Sequence, residues 1–262
     1  MIEERETPVV RNLGRLIGLS EAGRRHLVSL SGSVLELKSR RKLIEEGRPL
    51  DNFFIVLSGW LIEYRQLKDG GRQILNFRLP GDITGIECLL YKSALHSFAS
   101  LTFCSIASVS REMFEETQRL FPRLATAFLL SGLRDGAILE ERAVNLGRRT
   151  AYSRIAHLLL ELERRLHNSG LATNTAIPFP LRQQDIADCT GLTTPYVNRV
   201  LKQMRSQSLI LIGEESLEIL NSVELAKAAG FRPDYLHASP QTPWRSGSRP
   251  EVTVLPSVVA AA

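Results

Sequence analysis

Residues 181–212, LRQQDIADCTGLTTPYVNRVLKQMRSQSLILI, constrain the chain more than any other stretch. Two short helical patterns are broken there by one glycine. In the second, Val197, Val200, Leu201 and Met204 recur at i, i+3, i+4 and i+7, which lines one face of a helix. Leu181, Ile186 and Ala187 give the first its apolar stripe. Gly191 between them takes a positive φ at low cost, and Leu192 can plug the corner. Thr193 is a favourable N-cap, and Pro195 in the first turn has no amide to leave unpaired. Two helices joined by such a turn form a helix-turn-helix.

The polar side of the second helix suggests its use. Thr194, Tyr196, Asn198, Arg199 and Lys202 lie on or near the outer face. Asn and Arg make bidentate contacts to adenine and guanine edges, and Thr and Tyr reach bases or phosphates. The expected DNA-contact set is therefore Thr193, Thr194, Tyr196, Asn198, Arg199 and Lys202. Arg182 and Gln183, at the start of the first helix, are expected as phosphate clamps. A surface helix of an ordinary α domain also has a polar outer face. The glycine corner and the base-reading set together favour double-stranded DNA.

Charge gives weaker support. The 262 residues carry a net charge of +5, a mild bias toward polyanions. From 142 to 205 arginine recurs without matching acids, at Arg142, Arg148, Arg149, Arg154, Arg164, Arg165, Arg182, Arg199 and Arg205. That reads as an electropositive half suited to phosphate. The three cysteines, Cys88, Cys104 and Cys189, are widely spaced and show no metal-ligand pattern, so neither metal nor cofactor is expected. With no signal-peptide core and no membrane-length apolar run, the expectation is a soluble, cytoplasmic protein without a membrane partner. No nucleophile elbow, zinc-protease or phosphate-loop motif marks an enzyme.

Read in order, the chain predicts an α+β fold. Leu19-Ser20-Glu21 caps a short helix carrying Ala22, His26, Leu27 and Leu30. From about 33 to 109 the period changes to two, with turns at Ser58-Gly59, Lys68–Gly71 and Pro80–Asp82, as in a compact β roll. Pro122 starts a long helix to 147. Along it Ala125, Leu129, Gly132, Gly136, Leu139, Ala143 and Leu146 alternate at four and three, the seam of a parallel homodimer. A second stripe, Leu130, Leu133, Ala137 and Val144, is expected to pack on the roll. The alternative is one helix buried on both sides within a monomer. Residues 148–231 then form the winged helix-turn-helix domain, and 168–180 read as a loop. Residues 232–262 lack apolar periodicity and read as a disordered tail.

In this order, EEGRPLDNFFIVLSGWLIEY, LPGDITGIECLL and QQDIADCTGLTTPYVNRVLKQMRSQSLI resemble the Crp/Fnr family of bacterial transcription regulators, over roughly 15–231. The resemblance implies a cyclic-nucleotide-binding-like roll (1–121), a dimerisation helix (122–147) and a DNA-reading head on a two-fold site. It also implies RNA polymerase as a partner. The cyclic-nucleotide cassette departs from the family pattern. Where the resemblance calls for Gly-Glu-Leu and then Arg-Ser, this chain has Gly85-Ile86-Glu87 and His96-Ser97, and Leu139-Glu140 stand where the adenine would lie. A phosphate without its guanidinium would be left uncompensated, so cyclic AMP is not the expected effector, and the effector is unknown. The N-terminal cysteine cluster of the oxygen-sensing branch is absent. His26, His96 and Cys88 are expected to be structural rather than haem ligands. In the reading helix Pro195 stands where the family carries glutamate, while Arg199 keeps the family's arginine. Cys189 is expected as a small core residue, with a redox switch as the sharper alternative. Other readings stay open: a regulator needing no small molecule, a cyclic-nucleotide or other small-ligand sensor acting through protein contacts, and a metal enzyme hidden in the roll.

Overall fold

The computed structural model describes residues 7–172 and 176–236. Two short helices open it, α1 (Pro8–Leu16) and α2 (Glu21–Ser29). The Ser20 hydroxyl caps α2 by accepting from the Gly23 amide. Eight strands follow: β1 (Val34–Leu37), β2 (Lys42–Ile44), β3 (Asn52–Ser58), β4 (Leu61–Gln66), β5 (Arg72–Arg78), β6 (Ile83–Thr84), β7 (Ser97–Ser100) and β8 (Cys104–Ser110). They form two four-stranded sheets, ordered β1-β8-β3-β6 and β2-β7-β4-β5, with antiparallel pairing. Gly59 turns β3 into β4 at φ 79°, and a Cβ there would lie 2.1 Å from the Phe103 carbonyl oxygen. No other residue fits that turn.

The second sheet is buried on both faces. Trp60, Ile62 and Tyr64 face the C-terminal domain, and Leu61 faces the roll interior. This is why WLIEY is buried without interruption instead of alternating between core and solvent. The roll interior is closed by α1, α2 and the first turns of a long helix, which supplies Leu124, Ala127 and Phe128.

After α3 (Arg111–Leu120), that helix, α4, runs from Pro122 to Arg148. The expected seam is only partly on its free side. Leu129 is 55% exposed and Leu139 43%, and Gly136 and Ala143 are also exposed. Ala125, however, is buried in the roll core. Gly132 sits beside Ile86 of the same chain, and Leu146 packs against Gly191. Of the stripe expected on the roll, Leu130 and Ala137 are half-buried, but Leu133 is 71% and Val144 45% exposed, which corrects that expectation for these two. The free apolar face of α4 therefore carries Leu129, Gly136, Leu139 and Ala143 of the expected seam, with Leu133 and Val144 beside them.

At Thr150 the chain reverses into α5 (Ala151–Asn168), which folds back on α4. The head contains α6 (Gln183–Thr190), α7 (Thr194–Ser206) and α8 (Ser222–Ala229). Its wing is a three-stranded sheet, β10 (Ile210–Ile212), β11 (Ser216–Ile219) and β9 (Ala176–Pro178), in the order β10-β11-β9. Strand β9 lies in the stretch expected to be loop. Three residues ending in proline give too little periodicity to see, and pairing with β11 makes the strand. The expected disorder after 231 also needs correction. Pro233–Leu236 form a helical turn, with Leu236 buried, because Phe231 and Tyr235 pack on His157 of α5. The rest of the expected tail, from 237, lies outside the described residues.

Candidate nucleic-acid interface

The turn between α6 and α7 is set by Gly191, at φ 66°. Its amide and that of Leu192 both donate to the Ala187 carbonyl, closing α6. On the inner side, Val197, Val200, Leu201 and Met204 are buried with Ile186 and Ala187. Thr193 stands at the N-cap in extended backbone, and its carbonyl accepts from Tyr196 and Val197. Its hydroxyl makes no cap bond, contrary to expectation. The neighbouring Thr194 hydroxyl instead donates to Gln184 Oε1 at 2.7 Å.

The outer surface holds the expected reading set. Thr193, Tyr196, Arg199 and Lys202 are exposed, and Thr194 and Asn198 half-buried. The Arg199 guanidinium lies over the Tyr196 ring, 5.6 Å from its centroid, which pre-orders both side chains. Arg182 is exposed and Gln183 half-buried at the start of α6, on the same head.

The arginine-rich half is less basic than its sequence suggests. Arg142 and Arg165 are buried against Glu161, at 3.1 and 3.3 Å, and Arg165 also meets Asp82 at 2.8 Å. Arg149 pairs with Glu141. Arg154 donates to the Arg149 and Thr190 carbonyls, the latter at the C-terminal end of α6 where a cation is favourable. Matching acids exist, but one is on the roll and the others on α4 and α5. Exposed cations remain at Arg148, Arg164, Arg182, Arg199, Lys202 and Arg205.

Four charged residues that sequence reasoning passed over join the head to the roll. Arg40 donates to both oxygens of Asp185, at 2.8 and 3.0 Å. Arg72 reaches Asp185 at 3.1 Å and Asp188 at 2.8 Å. Gln73 donates to the Cys189 carbonyl. The visible signal was a pair of aspartates at i, i+3 on the otherwise apolar side of α6. Cys189 itself is fully buried, and burial pushes its thiol up to about 11. Its burial places it as a small apolar residue in the core of the head.

The cassette residues of the roll are only partly brought together. Gly85 caps a helical turn formed by Ile86–Leu89. His96 Nε2 lies 3.3 Å from Glu87 Oε1 and 3.8 Å from Glu63 Oε1. Burial lowers the His96 pKa, but Glu63 and Glu87 outweigh it and raise it above the usual value. Burial likewise pushes Glu63 up, and Arg78 and His96 override this to hold it at about 2. Arg78 continues from Glu63 to Asp135 of α4. The Ser97 hydroxyl is engaged, accepting from the Glu46 amide at 3.0 Å. Leu139 and Glu140 do not face this cluster; both are exposed on α4, because the helical phase carries them outward. Ile86 leans on Gly132.

His26 is bound structurally. Thr117 Oγ1 donates to the Met113 carbonyl, so it accepts from His26 Nε2, whose ring stacks on Phe121. Among the described residues, no group of three His, Cys, Asp or Glu side chains could hold a metal ion, and no helix is long and apolar enough to cross a membrane.

Comparison with known proteins agrees with this geometry. Residues 34–119 match the cyclic nucleotide-binding domain, and residues 153–228 the Crp-like helix-turn-helix domain. The chain is 30% identical to the nitrogen fixation regulation protein FixK of Bradyrhizobium diazoefficiens over 203 residues, 76% of this chain and 82% of that protein. It is 32% identical to FixK of Rhizobium meliloti over 181 residues, 68% and 78% of the two chains. The solved structure of FixK2 from Bradyrhizobium japonicum superposes with a TM-score of 0.68 at 27% identity, covering 75% of this chain and 96% of that one.

Proposed function

Because the chain belongs to the Crp/Fnr family of transcription regulators, we propose that it works as a homodimer on a two-fold symmetric DNA site, with α7 in the major groove of each half-site. The carrying observation is the outer face of α7. Thr193, Tyr196, Arg199 and Lys202 are exposed together at its N-terminal end and along one side, above a fully packed inner face. Arg182, at the N-cap of α6, and Gln183, its first residue, flank it as backbone clamps.

The dimer reading rests on α4. A helix of 27 residues leaves Leu129, Leu133, Leu139 and Val144 exposed in one chain, with Gly136 and Ala143 between them. A second copy covers such a row and allows close backbone approach at the small residues. The two heads are then presented by one symmetry axis, which matches the two-fold site. RNA polymerase is the partner that such a regulator addresses once on DNA.

The roll is not suited to cyclic AMP. A cyclic phosphate at the cassette would meet the carboxylates of Glu87 and Glu63 beside His96, while Arg78 is already held by Glu63 and Asp135. Placing an anion there breaks existing pairs and adds like charge. The effector, where one is used, is of another kind. The test is titration of labelled duplex DNA at rising salt together with sedimentation of the free protein. A sequence-selective, steeply salt-dependent complex of two chains supports the reading; a monomer that binds all duplexes alike overturns it.

A further inference from the structure

Thr194 lies at the reading end of α7, yet its hydroxyl is tied back to the β roll through consecutive contacts. Thr194 Oγ1 donates to Gln184 Oε1 at 2.7 Å. Gln184 Nε2 donates to Asp188 Oδ1 at 2.6 Å. The other oxygen, Asp188 Oδ2, accepts from Arg72 Nε at 2.8 Å. The direction of this chain follows from its anchored end. An ionised carboxylate only accepts, so the Gln184 amide must turn its NH2 toward Asp188. The Gln184 carbonyl oxygen then faces Thr194, and Thr194 must give its one hydroxyl hydrogen to it. Lone pairs and a methyl group are what Thr194 has left to offer DNA.

The anchor is firm and belongs to the roll. Arg72 bridges Asp188 and Asp185 and lies over the Tyr64 ring, 5.6 Å from its centroid. Arg40 holds Asp185 from a backbone at φ 60°, a left-handed conformation that costs a non-glycine residue free energy and persists where surrounding contacts fix it. Asp185 is 1% exposed. The clamp therefore sits on the hidden side of α6, while its effect emerges on the exposed side of α7.

We propose that Arg72 is a positioning residue for base reading: acting through Asp188 and Gln184, it fixes Thr194 as a hydrogen-bond acceptor toward DNA. A side chain on the roll thereby sets the base preference of the recognition helix at one position of each half-site. This deepens the reading of α7 as the recognition helix and rests on it. An acceptor at that point selects a base offering an exocyclic amino group, cytosine N4 or adenine N6, and the methyl can pack on a thymine methyl. Guanine O6 and N7, both acceptors, are disfavoured there.

The test uses the full chain and a panel of duplexes that differ from the preferred site by one symmetric base substitution at a time. Discrimination at the Thr194 position is expected to be about tenfold in the parent protein. Arg72→Ala takes away the group that holds Asp188 Oδ2, leaving the carboxylate free to turn away from Gln184, and should reduce discrimination at that position to near unity while other preferences persist. Asp188→Asn removes the obligatory acceptor and lets the Gln184 amide turn over, so the same position should lose or invert its preference. Thr194→Val, a change at the half-buried rim of the head, should lose preference at the same position, and Arg72→Lys, which can still pair with Asp188, should retain it. Equal weakening on every duplex in Arg72→Ala and Asp188→Asn, or no change in either, overturns the proposal. So does a Thr194→Val profile unchanged at every position while Arg199→Ala alters one, which leaves the recognition-helix reading intact. A parent protein without preference at any position sinks that reading itself.

Discussion

Acidification should weaken the C-terminal domain through one buried imidazole. His157, on α5, has no exposed surface and packs between Asn145 of α4 and the rings of Phe231 and Tyr235. Its tautomer follows from its neighbours. Asn145 Oδ1 accepts from Arg149, so Asn145 Nδ2 donates to His157 Nδ1 and the ring proton sits on Nε2, 3.3 Å from Glu141. Burial outweighs the attraction of Glu161 and Glu141 and lowers the pKa from 6.5 to about 4. Above pH 6.5 both folded and unfolded chains hold the ring neutral, and its contribution is complete. As pH falls below 6.5 the unfolded chain takes the proton first, so stability is lost until about pH 4, where the folded chain binds it too. Between about pH 7 and pH 5 the loss is about 2 kcal/mol, a large part of a domain's typical 5–15 kcal/mol.

Other groups act in the same range. Burial pushes the Glu87 and Asp135 carboxyls up, which favours the folded state as pH falls. Glu63, held at about 2, contributes stability that is lost only below the ordinary carboxylate range of about 4.5. His96 is raised, so its contribution is complete below 6.5 and fades as pH rises through its folded value. The readout is therefore a difference. Urea unfolding of the parent and of His157→Gln, whose amide can still accept from Asn145, is measured at both pH values. The parent should lose about 2 kcal/mol more than the variant on acidification. Parallel losses in the two proteins would refute the assignment to His157.

Gly191→Ala should cost about 1–2 kcal/mol, since alanine at φ 66° is strained and its Cβ meets Leu146 Cδ2 at 3.1 Å. Thermal unfolding reads this, and an unchanged melting temperature contradicts the corner's role. Arg165→Met leaves Asp82 and Glu161 short of a cation in the interior and should destabilise by about 3–5 kcal/mol in denaturant titration. Leu133→Glu places a charge on the free row of α4; sedimentation should shift from dimer to monomer with the melting temperature of the monomer fold preserved. Arg199→Ala should lose about 1–3 kcal/mol of discrimination at one base position if it reads guanine, as measured by competition between duplexes.

Much of this architecture was legible because local rules and tertiary structure agree. The i, i+3, i+4, i+7 row of α7, the Gly191 corner and the strand breaks at Ser58-Gly59 and Pro80–Asp82 each state their conformation within a few residues. What could not be read depends on partners distant in sequence. Arg142 and Arg165 looked like free cations because Glu161 and Asp82 approach them only after α5 folds back. Strand β9 exists because β11 pairs with it. The seam of α4 was legible only in part for a related reason: Ala125, Gly132 and Leu146 fit its spacing, but the roll core, Ile86 and the Gly191 corner meet them within the same chain. Asp185 and Asp188 were visible as acids on an apolar face, and only Arg40 and Arg72 give them meaning.

Selection of bound fragments from random duplex DNA, using the full chain, probes the outer face of α7 most directly. An inverted repeat should emerge, with half-site centres about 34 Å apart or a multiple of that, and it should vanish with Arg199→Ala or Leu133→Glu. Enrichment of no motif, or of one unrepeated motif that survives Leu133→Glu, contradicts a paired recognition helix.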